Sequence, residues 1–154
     1  MGETARILII DDDENIRKVL VTILEDEGYS VESVDTARKA IERTKRNFYN
    51  LALIDVRLPD MEGIELLTRM KDTTPKMRKI IITGYPTLQN AVEAVNKGAD
   101  AYVMKPFDVE KVLRQIKEQL KKQDEEKKYS QDKVAEFIEA RVRELDVAKE
   151  AAHR

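Results

Sequence analysis

Two rhythms of hydrophobicity alternate along the chain. The short runs RILII (6–10), YSVESV (29–34), LALI (51–54), KIIIT (79–83) and AYVM (101–104) have the length and β-branched content of strands. At 7–10, 51–54 and 80–82 they are apolar almost throughout rather than alternating, which predicts strands buried on both faces. Between the runs, apolar residues return every three or four positions: Ile16, Val19, Leu20, Ile23 and Leu24, then Ala37, Ala40 and Ile41, then Ile64, Leu67 and Met70, then Leu88, Ala91, Val92 and Val95. That spacing lines one face of a helix. The joints carry turn residues: Gly28 and Gly98 are expected to end the first and fourth helices, Gly63 follows LPDME, and Pro75 is expected to stop the third helix.

Five strands in strict alternation with helices predict right-handed crossovers and a parallel sheet covered on both faces. The expected fold is α/β, a flavodoxin-like (βα)5 doubly wound parallel sheet of strand order 2-1-3-4-5, with a C-terminal helical extension. Val109, Val112, Leu113, Ile116 and Leu120 supply the fifth helix, so the domain is expected to occupy residues 1–121 and the extension 122–154. The run KKQDEEKKYSQDK (121–133) has almost no apolar content and reads as a charged linker. Beyond it Ala135, Ile138, Val142, Leu145 and Ala152 follow a 3-4-3 spacing that Lys149 interrupts. Two readings of this end stand side by side: a short coiled-coil seam, or a solvated helix or truncated connector.

Composition narrows the chemistry. With 28 basic against 30 acidic residues, the net charge of −2 gives no electrostatic reason to expect a nucleic acid or a membrane surface as a direct partner. The absence of cysteine excludes disulfides, thiolate catalysis and cysteine-ligated zinc, and the single His153 lies one residue from the end, where neither a metal site nor a catalytic base is expected. MGETARILII lacks the features of a signal peptide, Arg6 stands where a myristoylation signal requires Ser or Thr, and no apolar run reaches the roughly 18 residues of a membrane helix. A cytoplasmic protein is the expectation.

Ligands of an open α/β sheet bind beyond the carboxyl ends of its strands. There the first strand delivers Asp11, Asp12 and Asp13, the third Asp55, the fourth Thr83 and the fifth Lys105. In the order 2-1-3-4-5 those strands are neighbours. Carboxylates gathered in so small a space need a cation, and hard oxygen ligands suit Mg²⁺. A carboxylate held against such an ion can attack a phosphoryl group in line while an ammonium neutralises the transferring oxygens and a hydroxyl donates to one of them. Asp55, the lone carboxylate of the central strand, is the best nucleophile. Each residue alone has a simpler use, as a helix cap, a surface lysine or turn chemistry; four at the ends of four adjacent strands point to a site.

The stretches ILIIDDDEN, LALIDVRLPDMEGIELL, IIITGYPT and GADAYVMKPF resemble the receiver domain of two-component response regulators (CheY-like), in register from residue 5 to about 121. The resemblance implies a phosphorelay protein, not an enzyme beyond its own phosphorylation and dephosphorylation, in which Asp55 accepts a phosphoryl group from a sensor histidine kinase or phosphotransfer protein. It implies Mg²⁺ held by Asp11, Asp12, Asp55 and the backbone carbonyl of Arg57, with Thr83 and Lys105 on the phosphoryl oxygens and a cis Lys105-Pro106 bond. Asp13 is the extra acid and is expected to cap a helix. The resemblance further implies a switch, with Thr83 moving toward the phosphoryl group, Tyr102 turning inward, and the fourth helix, fifth strand and fifth helix (87–117) changing surface. A homodimer through that face is one expectation; the other, a homodimer through the C-terminal helix, rests on the coiled-coil reading of the tail and not on the resemblance.

Two residues outside this signature flank the site. Arg57 lies two after Asp55 and Tyr85 two after Thr83, and their bulk is expected to restrict the attacking water and lengthen the lifetime of the phosphorylated state. A rival from another class is a hydrolase of the haloacid dehalogenase type, with Asp11 as nucleophile and Asp13 as general acid; it leaves Asp55 and Thr83 without roles. A second rival is a degenerate receiver that only dimerises, which intact Asp12, Asp55, Thr83 and Lys105 argue against. No recognition helix follows residue 121, so direct DNA binding is not expected of this chain.

Overall fold

The computed structural model describes residues 4–106 and 108–152, so His153 lies outside the described residues. Strands β1 (Arg6–Ile10), β2 (Ser30–Val34), β3 (Leu51–Asp55), β4 (Arg78–Thr83) and β5 (Ala101–Met104) alternate with helices α1 (Glu14–Asp26), α2 (Ala37–Arg46), α3 (Gly63–Leu66), α4 (Leu88–Asn96) and α5 (Val109–Ala152). All strand pairs are parallel, in the order β2-β1-β3-β4-β5. This is the flavodoxin-like arrangement expected from the alternation.

The fully apolar runs form the interior of the sheet because both of their faces are covered. Leu8, Ile10, Ala52, Ile54 and Ile81 face α2, α3 and α4 through Ala37, Ala40, Ile64, Leu66 and Ala94. Ile7, Ile9, Leu51, Leu53, Ile80 and Ile82 face α1 and α5 through Leu20, Leu24, Val112 and Ile116. Each buried aliphatic side chain stabilises the fold by about 1.5–3 kcal/mol relative to exposure, and this two-sided core outweighs the mixed propensities of single residues.

Local chemistry starts the helices where the chain needs them. Asp13 Oδ1 accepts from the amides of Asn15 (2.9 Å) and Ile16 (3.2 Å), Thr36 Oγ1 from Lys39 (3.2 Å) and Thr87 Oγ1 from Asn90 (3.0 Å), each filling the orphan donors of a first turn. Asp60, in the loop after β3, reaches back to accept from the amides of Ala37 and Arg38, both at 2.9 Å, and so ties that loop to the start of α2. Gly28 (φ 94°) and Gly98 (φ 101°) occupy the left-handed region after α1 and α4, as their positions predicted.

Two expectations need correction. The third helix is not the segment running to Pro75 that Ile64, Leu67 and Met70 suggested, but one turn ending at Leu66. Past it the backbone tightens: Thr68 and Arg69 donate to carbonyls three residues back, Glu65 (3.2 Å) and Leu66 (2.9 Å). The segment 122–133, read as a linker, lies within α5. Its Lys, Glu and Gln are good helix formers, and Lys122–Glu118 (3.5 Å) and Lys128–Asp124 (3.4 Å) pair across one turn, so a lack of apolar residues does not break the helix.

The chain divides into two compact units, one ending at Gln123 and one starting at Asp124. In the first, the base of the sheet is closed by a polar clamp. Gln123 Nε2 donates to the carbonyls of Asn50 (2.9 Å) and Lys76 (2.8 Å), while Asn50 Nδ2 donates to Gln123 Oε1 (3.1 Å) and Asn50 Oδ1 accepts from the Arg6 amide (2.8 Å). Gln123 is buried although it carries no apolar signal. The second unit is helical, and its side chains are exposed among the described residues.

Candidate functional site

Strand register builds the site. Ile10 pairs with Ile54, so Asp11 and Asp55 leave neighbouring strands at the same level; Asp55 pairs with Ile82 and Thr83 with Met104, which brings Thr83 and Lys105 to that edge. Asp11, Asp55 and Thr83 are buried, whereas Asp12 is exposed.

A single ammonium closes the cluster. Lys105 Nζ lies 3.2 Å from Asp11 Oδ2 and 3.4 Å from Asp55 Oδ2, bridging the two buried carboxylates. Its amide bonds the Thr83 carbonyl at 2.6 Å, and the Lys105-Pro106 peptide that follows is cis. The Asp13 amide donates to Asp11 Oδ1 (2.9 Å) and the Arg57 amide to Asp55 Oδ1 (3.2 Å), so each buried carboxylate has one oxygen on backbone and the other on Lys105.

Electrostatics record the crowding. Burial and the neighbouring Asp11 charge push the Asp55 carboxyl above its ordinary range, against the opposing pull of Lys105 and the Arg57 amide. Burial alone would lower Lys105, but the attraction of Asp11 and Asp55 wins and holds it above the usual lysine range. One ammonium therefore does not fully offset two buried carboxylates. One oxygen from each of Asp11, Asp12 and Asp55 falls within a 4.8 Å spread, an all-oxygen donor set that fits a small hard dication. The crowding that raises Asp55 is what such a cation would relieve.

Thr83 is fully buried, and its hydroxyl oxygen accepts from the Tyr85 amide (3.0 Å), which leaves the hydroxyl proton free to be donated. Above it, the Arg57 guanidinium stacks on the Tyr85 ring 3.6 Å from its centroid, joining the loops that follow β3 and β4. The two flanking residues singled out in the sequence are thus partners. Tyr102 packs against the core on the α4 side, and its buried hydroxyl has no hydrogen-bond partner among the described residues. Asp13 does not join the cluster: its carboxylate caps α1, which removes the general acid that the dehalogenase-type reading requires.

One residue that shapes the site went unread as such in the sequence. A Cβ on Gly63 would collide with the Asp55 carbonyl oxygen and come within 2.9 Å of its carbon and 3.0 Å of Val56 Cα, and the Gly63 amide donates to the Val56 carbonyl at 2.6 Å. The start of α3 thus rests directly on the backbone that carries Asp55. Only the phrase MEG after a turn hinted at it, and a glycine that permits a turn looks the same in sequence as one that permits close packing.

Comparison with known proteins adds the lineage. The sequence profile of the response regulator receiver domain matches residues 7–117. The uncharacterized transcriptional regulatory protein YkoG of Bacillus subtilis (strain 168) is 35% identical over 119 residues, covering 77% of this chain and 52% of the relative. A CheY-like response regulator receiver domain protein from Methanospirillum hungatei JF-1 superposes with a TM-score of 0.77 at 48% identity, covering 80% of this chain and 99% of that one. The beryllofluoride-activated NtrC4 receiver domain, solved in solution as a dimer, superposes with a TM-score of 0.72 at 36% identity, covering 77% and 98%. The chain spans from about a quarter to about a half of the length of the curated relatives it matches. Several of these are named transcriptional regulators, so the lack of nucleic-acid binding expected here from charge does not extend to them. With the fold, the strand-end cluster and the profile in agreement, this chain belongs to the response regulator receiver domain family of two-component signalling.

Proposed function

We propose that Asp55 is the phosphoacceptor of a cytoplasmic phosphorelay and takes its phosphoryl group from a sensor histidine kinase or a phosphotransfer protein. The carrying observation is the bridge from Lys105 Nζ to Asp11 and Asp55, at 3.2 and 3.4 Å, at the carboxyl ends of adjacent strands. An Asp55 carboxylate oxygen forms the new O–P bond as the donor's N–P bond breaks, and the electron pair leaves with the imidazole. Lys105 takes up charge on the phosphoryl oxygens, and Thr83 donates its hydroxyl proton to one of them. Asp11, Asp12, Asp55 and the Arg57 carbonyl would hold Mg²⁺, which when bound neutralises charge on the transferring group. The domain expected at residues 1–121 extends to Gln123, whose side chain bonds the base of the sheet.

The proposed switch runs from Thr83 to Tyr102 and the α4-β5-α5 face. A buried Tyr102 hydroxyl without a partner among the described residues costs about 1–3 kcal/mol, which favours a second arrangement in which it is satisfied. The same face exposes Leu88, Val92, Val95 and Met104, which supports a phosphorylation-dependent homodimer there. Incubation with a small phosphodonor and Mg²⁺, followed by mapping of the acyl phosphate, tests the assignment: label on Asp55 is expected, and label on Asp11 overturns it.

The stacked Arg57 and Tyr85 are proposed to slow loss of the phosphoryl group by restricting water at Asp55. In single-turnover decay, Arg57→Ala and Tyr85→Ala should each lose phosphate faster than the parent. Unchanged rates in both remove them from the mechanism.

A further inference from the structure

The unit beginning at Asp124 exposes a stripe of large apolar side chains on a helix: Val134, Ile138, Val142 and Leu145 all keep more than half of their surface open to solvent. Placing Ala135, Val142 and Lys149 at heptad position a puts Ile138, Leu145 and Ala152 at d. The flanking positions then sort by charge. Position e holds Asp132, Glu139 and Asp146, all acidic, and position g holds Lys127, Val134 and Arg141, of which two are basic and none acidic.

That sorting has a direction. In a parallel, in-register pair each g residue meets the e residue of the next heptad in the other chain, so Lys127 meets Asp132 and Arg141 meets Asp146, each pairing made twice by the two-fold symmetry. In an antiparallel pair e meets e and g meets g, which sets acids against acids and bases against bases. Val142 at a followed by Leu145 at d favours two strands, Ile138 at the other d position does not, and Lys149 at a faces its own copy in register, a cost in stability that a two-stranded seam relieves by letting both ammonium groups reach water.

We propose that this segment pairs with a second copy of this chain as a parallel, in-register two-stranded coiled coil. The assignment is independent of the phosphoacceptor reading, because none of its residues belongs to the strand-end site. With only three heptads the pairing is concentration-dependent, so two copies associate reversibly.

The chain has no cysteine, so single substitutions report the geometry cleanly. In the full chain under a glutathione redox buffer, Ala135→Cys is expected to form a disulfide-linked dimer and the outward Glu136→Cys is not. A mixture of Ala135→Cys and Lys149→Cys chains should yield only like-with-like dimers; cross-linking between the two overturns the parallel assignment. Sedimentation from micromolar to near-millimolar concentration should show dimer, with Arg141→Glu raising the dissociation constant about tenfold and the added change Asp146→Arg restoring it. Arg141 also forms an ion pair within its own helix, with Glu144 at 2.9 Å, which neither variant can make; Asp146→Arg alone, which also raises the dissociation constant if the pair is between chains, controls for the changed contacts of position 146 with Arg143, Lys149 and Glu150. A chain that stays monomeric throughout, a trimer, or a dimer indifferent to both changes overturns the proposal.

Discussion

Replacing Gly63 by alanine is the sharpest test of how the fold positions Asp55. The added methyl would sit on the Asp55 carbonyl oxygen and within 2.9 Å of its carbon, and both obstacles are backbone rather than a side chain that can swing away. A carbon and a carbonyl oxygen rest no closer than about 3.3 Å, so the start of α3 and the end of β3 must part by roughly 1 Å. That separation strains the 2.6 Å Gly63–Val56 hydrogen bond and the Arg57–Glu62 bridge beside it. Overpacking of this kind costs about 1–3 kcal/mol, and a strained backbone hydrogen bond adds about 1 kcal/mol, so a loss of about 2–4 kcal/mol is expected. Urea unfolding followed by far-UV circular dichroism measures it. Because the displaced carbonyl belongs to Asp55, acceptance of phosphate from a small donor should fall under conditions where the variant is still fully folded. A loss below about 0.5 kcal/mol together with an unchanged phosphorylation rate would refute the account, since that is the range of an ordinary surface substitution.

Asp55→Asn should make the metal-free protein more stable by about 1 kcal/mol in EDTA at neutral pH, because it removes a buried charge that Asp11 opposes. With a folded pKa raised above 3.8, Asp55 contributes stability that is present at low pH and lost as pH rises through the folded value, so the gap between variant and parent should open with rising pH; a gap independent of pH contradicts this. Lys79, buried with its ammonium 2.9 Å from the Leu67 carbonyl, is held below 10.5 mainly by burial, so between its folded value and 10.5 the unfolded chain binds more protons and stability should rise with pH. Lys79→Met should flatten that rise in parallel denaturation series, and superimposable profiles would exclude it. Gln123→Ala should cost about 1–2 kcal/mol by leaving the Lys76 carbonyl and the Asn50 amide without a partner, with no change in phosphate acceptance at the opposite end of the sheet.

The sheet was legible because its three inner strands are apolar on both faces, a pattern that surface helices do not share. The strand-end residues were legible for a related reason: once the order 2-1-3-4-5 is inferred, Asp11, Asp55, Thr83 and Lys105 must come out side by side. Interactions that depend on distance through space rather than on periodicity stayed hidden. Asn50 and Gln123 are 73 positions apart and both polar, with nothing periodic to link them; Gln123 is buried because carbonyls at the base of the sheet need donors. Asp60 reads as a turn residue after Pro59, yet it caps a helix that begins 23 positions earlier. The shortness of α3 was hidden because Leu67 and Met70 are buried at helical spacing while the backbone between them turns more tightly. The segment 122–133 misled in the opposite sense, since it lacks apolar residues but has the propensity and charge pairing of a helix.

The Lys105 ammonium already sits on the oxygens that a divalent ion would want. Any cation entering the cluster competes with a tethered rival that never diffuses away, so part of its binding energy goes into loosening bonds the protein has made with itself. The midpoint of occupancy should therefore lie at a higher free ion concentration than the same carboxylates would give without Lys105. The same tether draws one oxygen of Asp11 and one of Asp55 toward a single point, so an entering cation would meet ligands that the chain has already gathered.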